Sequence, residues 1–317
     1  MQKVGEKLIR RSGFLPLLVL LLLISGSFIP NFFTFQNGMN VLRQTTYLAI
    51  ITIGEMLVFL VGGFDLAIGA VVALTSIVAA LVMTSGISES SLVLTVLGIL
   101  GGLAVATLVG LVNGLTVAVI RVAPFIVTVA TMGISSGLAL HLAGGTPVWG
   151  LTKPFIAIFG TGSFYGVPNV VLIAVIVSII MYLLLNMTYL GRYFWAIGGN
   201  ENSALLSGIN TRKYTVLAYT LCGFFSGFTG VLLTARVGAG EPVLGGGLML
   251  QAMAAAVIGG TKVGGGEGNI PGALLGALFI TLVGNAMNLA NIGSYIQLIV
   301  MGCLLMFAII SDRYVRR

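Results

Sequence analysis

The sequence contains very little charge. Only 7% of its 317 residues are Asp, Glu, Lys or Arg, whereas 58% are hydrophobic. An ordinary soluble domain carries about 25% charged residues, so this chain has too few to cover a water-facing surface. The composition excludes a soluble globular domain and indicates an all-α polytopic membrane protein whose main solvent is lipid.

Histidine and cysteine are scarce as well. The chain has one histidine, His141, and two cysteines, Cys222 and Cys303, which both lie within apolar runs. A zinc or haem site that needs two histidines cannot be built, and each cysteine is better explained as a small packing residue than as half of a disulfide. The lone histidine has no evident nucleophile partner. We therefore expect no metal site, no cofactor in this chain and no enzymatic activity.

Long hydrophobic runs are abundant and predict about ten transmembrane helices in a single domain, 1–317, because a helix needs about 20 apolar residues to cross a bilayer. The basic N-terminus followed by an apolar run resembles a signal peptide, but no convincing cleavage signal follows, so we interpret it as an uncleaved first helix. The predicted spans are 14–30, 45–62, 66–84, 92–114, 123–143, 168–188, 214–234, 248–261, 270–290 and 295–311.

The basic residues indicate the orientation. Ten spans place both termini on one side. If that side is the cytoplasm, only Arg43, Lys153 and Arg236 of the 15 Lys and Arg residues lie outside. The positive-inside rule therefore predicts cytoplasmic termini and a cytoplasmic location for the polar segment 189–213. Orientation also explains the net charge of +7 better than nucleic-acid binding does.

Glycine is frequent, with 45 residues, and it recurs at three- and four-residue spacing in 98–114 and 264–284. Small faces allow helices to approach closely in lipid, so these segments predict a tightly packed bundle. The glycine-rich segment around Lys262 does not have the spacing of a phosphate-binding P-loop, and no strand precedes it. We therefore expect no ATP site in this chain.

Two short polar segments lie between predicted spans. In the first, 62–69, Asp65 follows a pair of glycines at a membrane edge. Asp65 could cap the following helix, contribute to a gate or contact a ligand, and the sequence leaves these alternatives open. The second contains Arg121 in a very short loop, and Pro124 suits the first turn of the next helix.

The segment 189–213 has the features of a short helix outside the bilayer. Asn200 or Asn202 can cap its start, and Gly208 can end it in a left-handed conformation. Leu205 and Leu206 lie between polar neighbours, so their apolar side chains need to be buried against another molecule. Lipid headgroups or the groove of a partner protein could bury them.

Several polar residues lie within the predicted spans. A carboxylate such as Glu55 inside a membrane is a functional hypothesis by default, although a protonated or hydrogen-bonded core carboxylate is about as plausible. Buried asparagines often join helices and need not contact a substrate. With both alternatives open, the candidates for a substrate path are Glu55, Ser136, His141, Asn285, Asn288 and Gln297.

Six segments, taken in order along essentially the whole chain, resemble the ribose-type family of bacterial ABC-transporter permeases. They are 30–45 (PNFFTFQNGMNVLRQT), 62–75 (GGFDLAIGAVVALT), 110–131 (GLVNGLTVAVIRVAPFIVTVAT), 190–209 (LGRYFWAIGGNENSALLSGI), 257–278 (VIGGTKVGGGEGNIPGALLGAL) and 293–300 (GSYIQLIV). The resemblance implies a multi-pass permease of the bacterial inner membrane that imports a monosaccharide, either a pentose or a hexose. It implies four kinds of partner: a second permease copy, ATPase subunits that bind ATP and Mg, a periplasmic sugar-binding protein and the lipid bilayer.

The resemblance also implies roles for individual residues. A cytoplasmic coupling helix of this family sits in a cleft of the ATPase, and the matching positions here are Asn200, Glu201, Ala204, Leu205, Leu206 and Gly208. The loops that narrow the path at the cytoplasmic side correspond to positions Gly63, Asp65, Arg121 and Pro124. The chain departs from the pattern at Ser136, where many such permeases carry arginine, and this leaves the sugar undefined.

Other functions remain as alternatives. An ion-coupled secondary transporter usually has intramembrane ionisable relays or broken helices, and Glu55 is the main candidate for such a group here. An importer of a non-sugar polar solute is a second alternative. Outside the membrane, 145–167 forms a long segment that could dock a binding protein or simply connect two spans.

Overall fold

The computed structural model describes residues 22–23 and 26–315, and most of them are helical. Within this part of the chain the helices are α1 (Phe35–Leu60), α2 (Ile68–Thr84), α3 (Ser91–Ala118), α4 (Pro124–Ala143), α5 (Asn169–Met187), α6 (Tyr189–Gly199), α7 (Glu201–Leu206), α8 (Thr211–Val237), α9 (Leu248–Ile258), α10 (Ile270–Leu289) and α11 (Ser294–Val315). A helical turn, Lys153–Phe155, continues into a π-helical turn, Ile156–Gly160. The strands β1 (Ser163–Phe164) and β2 (Val167–Pro168) then form a small antiparallel hairpin.

Polar side chains and glycines define several helix ends. The side chains of Thr34, Asn210 and Asn269 each accept a hydrogen bond from a backbone N–H group in the first turn of α1, α8 and α10 respectively. Such caps satisfy N–H groups that have no partner within the helix. α8 ends at Gly238, which has a φ of +78°. Local sequence therefore determines where these helices begin and end.

Nine of the ten predicted spans coincide with a helix, whereas the first, 14–30, lies largely outside the described residues. Within the described part, α1, α3, α4, α5, α8 and α10 are long and apolar enough to cross a membrane. The other three, α2, α9 and the Ser294–Ile310 part of α11, are shorter apolar helices. The chain is therefore helical and multi-pass, and the total of ten spans stays a prediction.

Several predicted boundaries differ from those of the structure by three or more residues, and two of them show the cause. α1 begins at Phe35 and not near residue 45, because Thr34 caps it and Arg43 lies inside the helix instead of before it. α9 ends at Ile258 and not at 261, because the following Gly260 has a left-handed φ of +88°. Capping and glycine conformation, rather than the positions of charges, fix these ends.

The helices form an inner and an outer group. The apolar windows of α1, α8 and α10 are 78%, 61% and 67% buried, whereas those of α3, α4 and α5 are 28%, 22% and 22% buried. α8 packs against α1, α2 and α3, while α10 packs against α1 and α9; α4 lies on α2. The outer helices thus expose apolar faces, as expected for surfaces in lipid.

Glycine permits the closest helix contacts. A Cβ atom on Gly110 of α3 would collide with the backbone oxygen of Tyr219 in α8. In the same way, a Cβ atom on Gly276 of α10 would collide with the backbone oxygen of Ala255 in α9. These helices therefore approach backbone to backbone, which accounts for the glycine spacing in the sequence.

Contacts between loops agree with the order of the spans. Val148 and Gly240, both in segments predicted to lie outside, exchange backbone hydrogen bonds of 2.8 and 2.9 Å. At the other end, Trp195 Nε1 donates to the carbonyl of Gly268 at 3.2 Å, and both residues belong to segments predicted to be cytoplasmic. Each contact joins segments assigned to the same side. The orientation itself stays a prediction.

Candidate coupling and transport sites

The predicted short helix in the polar segment is α7. Asn200 lies between α6 and α7, and its Oδ1 accepts from the backbone N–H of Ser203 at 2.9 Å. Gly208 follows with a φ of +82°, a conformation that glycine adopts without a steric penalty. The N–H of Ile209 then donates to the carbonyl of Ala204 at 3.1 Å and closes the C-terminal end. Of the two possible caps, Asn200 is therefore the one used.

α7 exposes two large apolar side chains. Leu205 is 56% exposed and Leu206 is 89% exposed, whereas Ala204 is 4% exposed and faces the protein. A six-residue helix with this pattern buries a small residue on its own chain and leaves its leucines uncovered. Adjacent exposed leucines in a polar segment make α7 a candidate for binding another molecule.

Glu201 connects α7 to two other elements. Its Oε1 atom lies 2.8 Å from Nη1 of Arg121, in the connection between α3 and α4. The same oxygen accepts from Oγ1 of Thr211 at 3.1 Å, at the start of α8. One predicted gate residue and one predicted coupling residue are thus in direct contact.

Asp65 is a buried centre of hydrogen bonds and is only 2% exposed. Its Oδ1 accepts from the N–H of Ala67 at 2.8 Å, and its Oδ2 accepts from Nδ2 of Asn113 in α3 at 3.2 Å. The backbone N–H of Asp65 donates to Oε1 of Glu55 at 3.2 Å. Asp65 thereby joins the turn between α1 and α2 to α3.

Of the alternatives left open for Asp65, capping of α2 is not the one that the structure shows. The residue before the first turn of α2 is Ala67, and no side chain caps this helix. The Asp65 side chain instead bonds to the N–H two residues later, which closes the turn before the helix begins. Burial raises the pKa of Asp65 to about 6, although the hydrogen bonds from Ala67 and Asn113 act in the opposite direction.

Residues that sequence reasoning missed complete this region. Tyr219 Oη donates to the carbonyl of Phe64 at 3.3 Å, and a Cβ atom on Gly63 would collide with that hydroxyl. Sγ of Cys222 lies 3.9 Å from Oε2 of Glu55. The available signal was the polarity of Tyr219 and Asn113 within otherwise apolar helices.

The six predicted path residues do not form one cluster. Asn285 of α10 is buried and exchanges two hydrogen bonds, of 2.8 and 3.0 Å, with Asn37 of α1. Gln297 of α11 donates to Oδ1 of Asn288 of α10 at 2.8 Å. These amides join pairs of helices, as expected for interhelical polar contacts.

Glu55 lies near Asp65 in the interior, while Ser136 and His141 are on the outer helix α4, half-buried and exposed respectively. Within the described residues, no group of three or more His, Cys, Asp or Glu side chains could hold a metal ion. Within the described residues, the candidate path residues therefore take part in separate polar contacts.

The fold and these contacts define a multi-pass helical membrane protein with a small amphipathic helix outside its spans. Residues 37–309 match the family model described as branched-chain amino acid transport system / permease component. The chain belongs to this permease family, and the resemblance to its ribose-type ABC-transporter members is confirmed.

Three relatives illustrate the similarity. The ribose import permease protein RbsC of Bacillus subtilis (strain 168) is 39% identical over 314 residues, covering 99% of this chain and 93% of the relative. The D-allose transport system permease protein AlsC of Escherichia coli (strain K12) is 34% identical over 302 residues, with coverages of 95% and 91%. The L-arabinose ABC transporter permease protein AraH of Azospirillum brasilense is 33% identical over 310 residues, with coverages of 98% and 89%. No solved structure matches the chain.

Proposed function

We propose that the chain is the membrane-spanning permease subunit of an ATP-driven importer for a monosaccharide in the bacterial inner membrane. The observation that carries this proposal is similarity over nearly the whole chain to permeases named for ribose, allose and arabinose. Ribose and arabinose are pentoses and allose is a hexose. The substrate is therefore a five- or six-carbon sugar.

In this proposal, ATP is hydrolysed on separate ATPase subunits. α7 is the coupling helix, and Leu205 and Leu206 fill an apolar groove of the ATPase in preference to lipid headgroups. The exposure of both leucines supports this assignment. The permease contributes two packings of similar energy, and its partners on the two sides of the membrane bias one or the other.

A periplasmic sugar-binding protein delivers the substrate to the outer side. The segment 145–167 is the proposed docking surface, and its exposed aromatic side chains, Trp149, Phe164 and Tyr165, support this role. Aromatic residues are enriched where proteins bind each other. A second permease copy completes the translocation path, which agrees with the dispersed polar contacts of the single chain.

Reconstitution tests the proposal. The chain, its ATPase and its binding protein are placed in vesicles, and uptake of labelled ribose, allose and arabinose is measured with and without ATP. We expect ATP-dependent uptake of at least one sugar and none without the ATPase. Uptake by the chain alone, driven by a proton gradient, would instead identify an ion-coupled transporter. ATP-dependent uptake of a non-sugar solute, with no competition from sugars, would identify the other alternative.

A further inference from the structure

The short helix α7 contacts a distant part of the chain through an ion pair. It packs mainly on α6 and α8, its neighbours in sequence. The ion pair between Glu201 and Arg121 joins residues that are 80 positions apart in the sequence. Through this pair, α7 contacts the connection between α3 and α4 directly.

That connection is short and has an unusual backbone. Arg121 has a φ of +67°, in the left-handed region that residues with a Cβ atom rarely occupy. The N–H groups of Ile120 and Val122 donate back to the carbonyls of Leu115 and Thr116 at 3.3 and 3.2 Å, which fixes the loop on the end of α3. A rare conformation persists where the surroundings determine it, and such positions are frequent at switch regions.

Arg121 is also close to the start of α4. Pro124 is in the first turn of that helix, and α4 lies on α2 and carries Ser136 and His141. The N-terminal end of α4 begins three residues after Arg121. On the other side of the ion pair, Glu201 also holds Thr211, which is buried at the start of α8.

The pair is half-exposed, with 51% of the Arg121 side chain and 43% of the Glu201 side chain accessible. Exposed ion pairs contribute little to stability, so stabilisation alone does not account for this arrangement. We propose that Arg121 and Glu201 are positioning residues that make the α3–α4 connection move together with α7. Resting on the proposed function, this inference means that movement of the ATPase reaches the cytoplasmic end of α4 through the ion pair.

Charge reversal tests whether the ion pair couples α7 to the α3–α4 connection. We compare the wild type, Arg121→Glu, Glu201→Arg and the double variant in the reconstituted complex, and measure sugar uptake and ATP hydrolysis in the same vesicles. Each single variant is expected to lower the sugar transported per ATP at least tenfold, and in Arg121→Glu the rate of ATP hydrolysis is expected to stay within threefold of wild type. The double variant is expected to recover to within threefold, because it restores the opposite charges. A purely structural role would not change this ratio or give recovery.

Two controls isolate the ion pair. Arg212→Glu changes an exposed basic residue in the first turn of α8 and is expected to keep the wild-type ratio. Thr211→Val removes the other bond of Glu201 and is expected to change the ratio less than threefold. The proposed coupling would be overturned if Arg121→Glu transported as much sugar per ATP as the wild type. It would also be overturned if the double variant transported no more sugar per ATP than the single variants. If the wild type hydrolyses ATP but moves no sugar, the proposed function fails instead.

A distance measurement tests the same coupling without measuring sugar uptake. Spin labels are placed at exposed positions Ser207 and Phe125, with Cys303 replaced by serine because it is exposed. In the wild type, the distance between labels should stay within a narrow distribution when ATP and vanadate are added to the complex. In Arg121→Glu, the distribution should broaden or shift. The same change in distance distribution in the wild type and in Arg121→Glu would contradict the proposed coupling.

Discussion

Replacing Asp65 should separate the effect of its hydrogen bonds from that of its charge. Asp65→Ala leaves the N–H of Ala67 and Nδ2 of Asn113 without their acceptor, and both residues are fully buried. Each unsatisfied buried donor costs about 1–3 kcal/mol, so the variant should lose about 4 kcal/mol. At about 2 °C per kcal/mol for a chain of this size, the melting temperature should fall by about 8 °C.

Asp65→Asn should be far less harmful. Its carbonyl oxygen still accepts from Ala67, and Asn113 can rotate its amide so that Oδ1, which has no hydrogen-bond partner, accepts from the new NH₂ group. We expect a loss below about 1 kcal/mol. Thermal unfolding of the purified proteins in detergent measures both variants, with exposed Glu89→Ala as the control. A drop in Asp65→Asn as large as in Asp65→Ala would refute the reasoning.

The difference in stability between the wild type and Asp65→Asn should depend on pH. Because burial raises the pKa of Asp65 to about 6, the folded state retains a proton that the unfolded state loses near pH 4. Folding is therefore favoured at low pH, and this contribution is lost as the pH rises from about 4 to 6. The stability of wild type relative to Asp65→Asn should fall across that interval. A constant difference would contradict the assignment.

Three further predictions concern other contacts. Leu205→Asp should abolish co-purification with the ATPase and leave membrane insertion intact; a wild-type yield of ATPase would exclude the coupling role. Gly276→Ala should lower the melting temperature by several degrees because its Cβ atom meets the α9 backbone, whereas Gly284→Ala has space and should not; equal effects would contradict the close packing. Asn285→Ala should cost about 1–3 kcal/mol in thermal unfolding, because Asn37 loses its buried partner, and an unchanged melting temperature would argue against that pair.

Much of the helical fold could be predicted because apolar length is a strong constraint in lipid. Nine predicted spans coincide with helices, and the cap at Asn200 and the glycine end at Gly208 were recognisable from local chemistry. The start of α1 was not recognisable, because the charged Arg43 lies inside the helix, nine residues after the capping residue Thr34. A charge near a helix end can reach the interface and does not mark the boundary.

The pairing of polar residues could not be predicted. Arg121 and Glu201 were separately visible as polar positions, but their contact depends on how segments 80 residues apart pack. The link between Asp65 and Asn113 has the same origin. Similarly, the sequence shows that Ser136 and Glu55 are polar, but it does not show which neighbour each helix face contacts. For this reason it could not reveal that the proposed path residues belong to different helix contacts.

The central claim is that energy from an ATPase enters the permease at α7, and site-specific cross-linking tests it most directly. Leu206→Cys, in a Cys303→Ser background, places a thiol at the more exposed of the two leucines of α7, and Leu100→Cys provides an exposed control on α3. The account predicts that a short thiol-reactive cross-linker joins the ATPase to residue 206 and not to residue 100. Equal cross-linking of both positions, or none at 206 in an ATPase-containing complex, would contradict it.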